Sequence, residues 1–407
     1  MHYELTKPIL LHDLHVAYCD AIKHKRSKPY VKAFGRNLYR NLMELCDELW
    51  TRTYKPRPST CFIITDPKPR EVFAADFRDR IVHHLYYNYT HEMYERTFIQ
   101  DSYSCIKGRG THYGIRRLEG HIRKESQNYS ERCYVMKIDI RGYFMNINRQ
   151  RLLDECLRTL RQMSAHKVGK DDRRTWAETV DMDFVEYLTR EIVLLDPTEH
   201  CRMIGSRSDW DILPHDKSLF HSPKGCGLPI GNLTSQLFCN VYLNVLDQYM
   251  KRQQHCRHYG RYVDDFFIVS ADREWLVSLL PSIRRFLSDA LGLSMHEGKL
   301  VIADVRYGVS YLGAYLKPWR MYVSNTTLRR MNCKLAVLHD AAAAHRCDSR
   351  DVRRQVAERL RSSLNSFIGV MIHYRSYRRR LSLLMRRRQF LYYGCFTSYV
   401  SLFMVGW

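Results

Sequence analysis

Three features that mark other classes of protein are missing from this chain of 407 residues. No apolar run approaches the ~18 residues that a membrane-spanning helix needs, so we expect no membrane association. The 13 cysteines are scattered and form no CxxC pair, which argues against a zinc site or a disulfide framework and favours reduced thiols in a cytoplasm. The first residues carry no basic segment followed by an apolar one, so a secretory leader is not expected either.

Acidic residues are also scarce relative to basic ones. The chain has 65 Lys and Arg against 43 Asp and Glu, a net charge of +22. The imbalance is strongest in residues 325–407, where no acidic residue follows Glu358. Such a surplus favours binding to a polyanion through release of its counterions. A hydrophobic content of 45% argues against disorder, and the length allows two or three domain-sized units.

Two adjacent carboxylates, Asp264 and Asp265, lie inside the apolar and aromatic run of residues 261–269. β-branched and aromatic residues favour a strand, and burying an unpaired carboxylate there is unfavourable. A divalent cation would relieve this cost, because Mg²⁺ prefers carboxylate oxygens as ligands. The pattern therefore predicts a β-hairpin whose tip carries both residues as Mg²⁺ ligands. An ordinary Asp-rich turn is the alternative for this pair alone.

A third carboxylate, Asp139, lies near the end of another strand-like run, residues 134–140. Side-by-side pairing of the two runs would bring Asp139 against Asp264. Two-metal phosphoryl transfer needs such a set: one ion lowers the pKa of the attacking 3′-hydroxyl, and a second ion about 4 Å away stabilises the leaving pyrophosphate. An aspartate that caps a turn is the alternative for Asp139 by itself, and the pairing of the two runs argues against it.

The motifs around these carboxylates resemble, in order, those of reverse transcriptases. Asp139 with Phe144 five positions later, and residues 262–265, are similar to the palm motifs of that family. Further similar segments are 67–72 and 75–80 for the fingers, 227–236 under the templating base, 298–299 around a lysine, and 311–313 for the primer-grip hairpin. The similarity runs from about residue 54 to residue 316. Such an ordered set of motifs is far more specific than any one of them.

The resemblance implies an α/β (α+β) fold, namely a right-hand polymerase with fingers, a palm of antiparallel sheet backed by helices, and a helical thumb. It also implies an RNA-directed DNA polymerase, hence a nucleotidyltransferase, that uses two Mg²⁺ ions, with Mn²⁺ as a substitute. The catalytic residues it implies are Asp139, Asp264 and Asp265, which with the backbone carbonyl of Ile140 are also the metal ligands. The residues implied to contact the incoming dNTP are Lys68, Arg70, Arg78, Phe144, Ile230, Gly231 and Lys299.

Phe144 matches the steric gate that blocks a nucleotide's 2′-hydroxyl, because an aromatic ring packed against C2′ leaves no room for the extra oxygen. A core phenylalanine is the alternative. Arg70 and Arg78 match triphosphate contacts, since an arginine fork suits phosphate oxygens, and Lys68 is a second contact. A surface cation is the alternative for each of them, and the charged cluster 78–80 could equally be an internal ion-pair network.

Within the family, Ile230, Ser235 and Gln236 resemble the reverse transcriptases of diversity-generating retroelements, as do segments 75–84 and 101–105. Most relatives have Gln-Gly where this chain has Ile-Gly, and Ser-Pro where it has Ser-Gln. Members of that group copy a template-repeat RNA with errors opposite adenine, and the cDNA replaces a variable region of a target gene. The Ile230 side chain can only make packing contacts, whereas the glutamine of most relatives offers a positioned amide donor. Loss of that donor, worth on the order of 1 kcal/mol, would weaken the discrimination between correct and incorrect base pairs. A core residue in an accurate polymerase is the alternative.

The expected organisation has five parts. They are an N-terminal helical extension (1–53), fingers (54–132), a palm (133–160 and 223–322), an insertion between the palm motifs (161–222) and a basic helical thumb (323–407). Apolar residues at helical spacing predict one amphipathic helix over residues 31–51, and a strand pair is expected over 60–75 around a turn at 67–69. The insertion is expected to be irregular. Its aspartates are predicted to be surface turn residues rather than metal ligands: Asp209, Asp211 and Asp216.

The expected partners are template RNA, a DNA primer with its cDNA, and dNTPs. Arginine runs 378–380 and 386–388 alternate with aromatic residues, which fits a helix along a nucleic-acid backbone. A docking face for a small basic helical accessory protein, including the aromatic tail 399–407, is the competing interpretation. No acidic cluster for RNase H and no Cys/His set for an HNH endonuclease is seen, so other factors are expected to cut the target. The alternative functions are a retron or group II intron-type reverse transcriptase, or a catalytically inactive RNA-binding relative.

Overall fold

The computed structural model describes residues 3–66, 68–169 and 171–405, with only the backbone at Arg207. The α-helices in these ranges are α1 (Lys7–Ala21), α2 (Pro29–Gly35), α3 (Leu38–Trp50), α4 (Phe77–Glu95), α5 (Thr111–Glu125), α6 (Tyr143–Asn146), α7 (Arg149–Ser164), α8 (Met182–Val193), α9 (Leu233–Gln248), α10 (Arg273–Ser278), α11 (Leu280–Leu291), α12 (Asn325–Ala344), α13 (Arg350–Met371), α14 (Tyr377–Met385) and α15 (Phe390–Tyr393). The strands are β1 (Ser59–Ile64), β2 (Arg70–Ala74), β3 (Tyr134–Asp139), β4 (Cys201–Met203), β5 (Tyr259–Tyr262), β6 (Asp265–Ser270), β7 (Val301–Asp304), β8 (Val309–Tyr311), β9 (Ala314–Lys317), β10 (Arg320–Val323), β11 (Gly394–Phe396) and β12 (Phe403–Val405). This mixture of helices and small sheets confirms the predicted α/β class.

The strands form four small sheets, in the orders β5-β6-β3-β7, β2-β1-β4, β10-β9-β8 and β11-β12. In the first of them β3 lies beside β6, which confirms that the two carboxylate-bearing runs pair. In the second, β1 and β2 are antiparallel with Thr60 opposite Ala74 and Ile64 opposite Arg70. The strand pair expected around residues 67–69 is therefore confirmed, although Pro67 of its turn lies outside the described residues.

The chain divides into two compact units. One comprises residues 1–110, 137–267 and 277–300, and the other comprises residues 111–136, 268–276 and 301–407. The predicted five-part division does not follow these bounds and stays a prediction.

The core of the first unit is built around α4, which packs against α1, α7, α8 and α9. Its start is set by Asp76, whose carboxylate accepts a hydrogen bond of 3.0 Å from the backbone N–H of Arg78 and so caps one otherwise unpaired donor. Ile81, Val82 and Leu85 on this helix are fully buried. Burial of apolar side chains on several faces explains why a helix so rich in polar residues is stable here.

Helices α12 and α13 pack against each other in the second unit, and the C-terminal segment closes their core. Val400 and Phe403 are buried in it, and the Asn365 side chain exchanges two hydrogen bonds with the Phe403 backbone, of 2.9 and 2.7 Å. Arg380, one residue of a predicted basic run, turns inward and donates to the Val400 carbonyl at 3.2 Å. Val400 and Phe403 of the aromatic tail therefore fill this core, whereas Tyr399, Leu402 and Met404 are exposed. Gly406 and Trp407 lie outside the described residues.

Local structure differs from the sequence expectation in three places. The single helix expected over 31–51 is two helices, α2 and α3, because Asn37 adopts a non-helical φ of −126° between them. The insertion contains a regular helix, α8, whose N-terminus is capped by the Asp181 carboxylate bonding to the Phe184 N–H at 2.9 Å. The C-terminal segment ends in the hairpin β11–β12 rather than in a helix.

None of the helices in the described ranges is both long and apolar enough to cross a lipid bilayer. The 13 cysteines are free thiols, and several, such as Cys46, Cys61 and Cys156, are fully buried as small apolar side chains.

Candidate active site

The tip of the β5–β6 hairpin presents Asp264 and Asp265 on a strained turn. Strand β5 ends at Tyr262 and β6 begins at Asp265, so Val263 and Asp264 form the turn. Val263 has a φ of +55°, the left-handed region that a β-branched residue rarely adopts. Such a backbone conformation costs about 1–3 kcal/mol and persists only where its surroundings hold it.

Arg261 is the residue that holds this turn, and sequence reasoning did not assign it a role. Its Nη1 donates to the Val263 carbonyl at 3.0 Å, while Nε and Nη2 bind the Asp247 carboxylate at 2.7 and 2.6 Å. Both charged side chains are fully buried, and the Tyr259 hydroxyl donates to Asp247 at 2.6 Å. The signal in the sequence was a single arginine inside an apolar strand, since a buried charge requires a partner.

Asp139 reaches the hairpin tip through the pairing of β3 with β6. The N–H of Ile140 donates to the Asp264 carbonyl at 3.2 Å, and the Asp139 carbonyl accepts from the His296 N–H at 2.8 Å. The first of these backbone bonds places Asp139 beside the hairpin tip, although 125 positions separate Asp139 from Asp264 in the sequence. The sequence analysis expected this proximity, and the assignment of the three aspartates as catalytic residues and metal ligands stays a prediction.

Charge repulsion and burial raise the pKa values of two of these carboxyls. Burial, followed by the Asp139 carboxylate, raises the pKa of Asp264 to about 6. Burial also raises the pKa of Asp265 to about 7, with Asp264 and Asp139 adding to the shift and Lys137 opposing it. Both residues remain partly exposed, so their surroundings remove part of the water around the carboxylates but leave the site accessible from solvent. The tip therefore carries negative charge that is incompletely compensated.

A cation already lies at one of the three carboxylates. The Lys299 ammonium is 2.8 Å from Asp139 Oδ1, with 52% of its side chain exposed. Within the described ranges no three His, Cys, Asp or Glu side chains are close enough together to hold a metal ion. The donor chemistry nevertheless fits Mg²⁺, because carboxylate and carbonyl oxygens are its preferred ligands and added positive charge would relieve the raised pKa values.

Arg70 and Lys68 lie at the turn between β1 and β2, both exposed. Arg70 is close enough to the hairpin tip for its charge to lower the pKa of Asp264, although burial outweighs this effect. Because Arg70 is exposed and lies near the carboxylates, its guanidinium group is accessible to phosphate oxygens.

Arg78 lies elsewhere and is engaged. Its side chain is 6% exposed, forms an ion pair with Glu48, and lies 3.8 Å from the Asp79 carboxylate. It also donates to the Lys55 carbonyl at 3.4 Å. This geometry corresponds to the internal ion-pair network that was the alternative for the 78–80 cluster. A triphosphate could reach Arg78 only if this network opened.

The segment 230–236 is attached to the strand pair by its backbone. The Phe73 N–H donates to the Ile230 carbonyl at 2.8 Å. Gly231 has a φ of +129°, and a Cβ there would lie 2.9 Å from the Phe73 carbonyl oxygen, so only glycine fits. Helix α9 follows, with Ser235 buried in its first turn and Gln236 exposed.

Phe144 and Ile230 meet at a small apolar cluster. Both side chains pack against a core formed by Cys61, Phe73, Met145 and Leu219. Phe144 lies on α6, directly after the Asp139 strand, and its carbonyl accepts a 2.8 Å bond from the Leu228 N–H. The structure therefore groups the predicted sugar gate, five positions after Asp139, with the predicted fidelity residue.

Comparison with known proteins identifies the family. Residues 66–316 match the family model of reverse transcriptase (RNA-dependent DNA polymerase), which is more than half of the chain. The chain belongs to the reverse transcriptase family. The description of this family, RNA-dependent DNA polymerase, agrees with the enzyme class that the sequence analysis expected. It does not distinguish a diversity-generating member from other members.

Similar solved structures are distant. Telomerase from Candida albicans, in complex with a TWJ fragment of telomeric RNA, has 11% sequence identity and a TM-score of 0.43, over 86% of this chain and 64% of that chain. Apo telomerase from Candida tropicalis has 11% identity and a TM-score of 0.46, over 83% of this chain and 62% of that chain. This chain thus spans less than two thirds of the length of those telomerase chains. No curated protein sequence matches it.

Proposed function

We propose that this protein copies a template RNA into cDNA, as an RNA-directed DNA polymerase whose catalytic residues are Asp139, Asp264 and Asp265. The observation that carries the proposal is the convergence of Asp139 with the β5–β6 tip, through the 3.2 Å bond between Ile140 and Asp264. Asp264 and Asp265 share the turn next to it, with pKa values raised by burial and by neighbouring carboxylates. Burying these carboxylates is energetically unfavourable, and a catalytic role explains why the chain retains them.

The proposed metal ligands are Asp139, the Ile140 carbonyl, Asp264 and Asp265. Two bound Mg²⁺ ions, or Mn²⁺ in their place, would activate the primer 3′-hydroxyl and stabilise the pyrophosphate leaving group. Within the protein, Arg261 keeps the two turn aspartates directed to this point. Lys299, bound to Asp139 and half-exposed, would neutralise that carboxylate and contact the incoming dNTP.

The nucleotide would lie between the β1–β2 turn and the Phe144–Ile230 cluster. Arg70 and Lys68, both exposed, would bind its triphosphate, whereas Arg78 would take part only after leaving its pairs with Glu48 and Asp79. Gly231 would allow the backbone to approach the nucleotide closely. Phe144 would exclude a 2′-hydroxyl, which favours DNA over RNA synthesis.

The diversity-generating subtype is the finer part of the proposal. Its support is Ile230, which packs against the apolar cluster and offers no hydrogen bond to the nucleotide. Discrimination between correct and incorrect pairs depends on polar groups that the incorrect pair leaves unsatisfied. Ser235 and Gln236, which follow in α9, would support the templating base. We therefore propose copying of a template-repeat RNA with errors opposite adenine, for diversification of a target gene.

The basic C-terminal region, proposed as the thumb, would contact the template and primer. Four arginines of its two runs are exposed, namely Arg378, Arg379, Arg386 and Arg388. Among its interleaved aromatics, Tyr374, Phe390 and Tyr393 are buried and Tyr377 and Tyr392 are exposed. The exposed charges suit phosphate contacts, and the two exposed tyrosines suit stacking or an accessory protein. We propose that the polymerase works in the cytoplasm with a small basic helical partner.

Primer extension on an RNA template tests the proposal directly. Purified protein is given a DNA primer annealed to a mixed-sequence RNA, dNTPs and Mg²⁺, with Mn²⁺ in a parallel reaction. The matched control is Asp264→Asn, which keeps the side-chain size and removes the charge. We expect extension by the wild-type protein only, with errors concentrated opposite adenine when the products are sequenced. Equal behaviour of the two proteins would contradict polymerase activity, and errors spread evenly over the four bases would contradict the subtype.

A further inference from the structure

Glu71 on strand β2 is a buried carboxylate whose observed partners are neutral. It is 1% exposed, and it accepts hydrogen bonds from Trp210 Nε1 at 2.8 Å, Ser218 Oγ at 2.9 Å and the Leu219 N–H at 2.6 Å. Burying a carboxylate is unfavourable unless several donors compensate it, and hydrogen bonds to a charged acceptor are the strong ones. This arrangement therefore fixes the three donors tightly to the strand.

The three donors belong to one stretch of the insertion for which the sequence suggested no role. The same stretch is also joined to the strands on its other side, because β4 pairs in parallel with β1, from Ser59 opposite Cys201 to Cys61 opposite Met203. Residues 201–221 are thus attached to the β1–β2 pair at both ends.

This stretch also contacts the segment that follows Asp139. Leu219 is a member of the small core against which Phe144 and Ile230 pack, and Trp210 packs against the same core. The Asp216 carboxylate lies 3.8 Å from Arg141 Nε. The insertion is therefore in direct contact with the surroundings of the proposed sugar gate and fidelity residue.

We infer that residues 201–221 form one wall of the incoming-nucleotide site, and that Glu71 is the positioning residue that fixes this wall. The inference rests on the proposed polymerase function. The wall sets how closely Phe144 and Ile230 fit a dNTP, so it acts on substrate binding and base selection. Glu71 itself does not touch the reacting atoms. A purely structural Glu71 would change stability and leave substrate selection unchanged.

The principal test is Glu71→Gln, which keeps the shape of the side chain and removes the charge that binds three donors. On an RNA template we expect the dNTP KM to rise about tenfold with kcat within about threefold, because the wall shifts while the carboxylates stay in place. Misincorporation relative to correct incorporation should rise in the same variant. Thermal unfolding measured in parallel reports whether the fold is retained.

Trp210→Phe is the second variant, since it removes one of the three donors and keeps an aromatic ring. Its matched control is Trp176→Phe in the same insertion, where the buried indole N–H has no hydrogen-bond partner among the described residues. We expect the dNTP KM to rise about threefold in Trp210→Phe and to stay at the wild-type value in Trp176→Phe.

If Glu71→Gln fails to fold, the comparison of the two tryptophan variants decides the question. If folded Glu71→Gln or Trp210→Phe protein has the wild-type dNTP KM and the wild-type misincorporation rate, the inference is wrong. The proposed polymerase function still holds in that case, provided that the wild-type protein extends primers. Absence of extension by the wild-type protein would instead overturn the proposed function, and the inference with it.

Discussion

Arg261 provides the sharpest test of how the candidate active site is held. Arg261→Met leaves the Asp247 carboxylate fully buried without its cation, and removing one partner of a buried pair costs about 3–5 kcal/mol. Domains have only about 5–15 kcal/mol of stability, so the single variant is expected to unfold far more easily than the wild type. Loss of activity in that variant alone would therefore not separate positioning from folding.

A combined variant separates the two effects. Arg261→Met with Asp247→Leu and Tyr259→Phe replaces the pair by apolar side chains and removes the hydroxyl that bonds to Asp247. Replacing a buried ion pair by apolar residues of similar volume is often neutral for stability. The Val263 carbonyl still loses its 3.0 Å donor, so the strained turn is free to relax. A displacement of about 1 Å at Asp264 would slow primer extension on the order of 100-fold.

The assay measures thermal unfolding and single-turnover primer extension on the same preparations, with Asp264→Asn as the inactive reference. We expect the combined variant to unfold close to the wild-type temperature and to extend primers much more slowly. A stable combined variant that extends at the wild-type rate would refute the assignment of Arg261 as a positioning residue. It would show that the pair serves stability alone.

Three further perturbations test separate parts of the proposal. Ile230→Gln restores an amide donor beside the nucleotide, so sequencing of the cDNA should show fewer errors opposite adenine; an unchanged error profile would contradict the role of Ile230. Phe144→Ala should admit ribonucleotides in extension assays with rNTPs, and continued rejection of rNTPs would argue for a plain core residue. Burial, aided by the charges of His84 and Arg80, lowers the pKa of His83 to about 4 from its usual 6.5. Because the folded-state pKa lies below the unfolded one, stability is retained above pH 6.5 and lost as the pH falls toward 4, by about 3 kcal/mol in total. Urea unfolding of the wild type and of His83→Asn should therefore show a smaller difference in the free energy of unfolding between the two proteins at pH 4 than at pH 7. If the free energies of both proteins changed equally with pH, His83 would not be the cause of the pH dependence.

Local pattern was sufficient for several elements of this protein. The apolar runs around Asp139 and Asp264 specified strands β3 and β6, because β-branched and aromatic residues fit the largely buried surface of a sheet. Helix α8 was missed although Phe184, Val185 and Leu188 recur at helical spacing after the Asp181 cap, so its signal was present in the sequence. The break between α2 and α3 had only a weak signal, at Gly35 to Asn37.

Long-range contacts determined the rest. The sequence by itself specified which residues could bind metal and nucleotide, since their chemistry is a property of each side chain and its neighbours. Only the tertiary structure decided that Arg78 pairs with Glu48, that Arg261 is neutralised by Asp247, and that Glu71 binds Trp210 and Ser218. Each of these pairings depends on which side chain, distant in the sequence, lies next to the buried charged group. Because the charge is buried, it must have a partner to avoid a large loss of stability. The identity of that partner is determined by how whole helices and strands pack, which no local sequence pattern encodes.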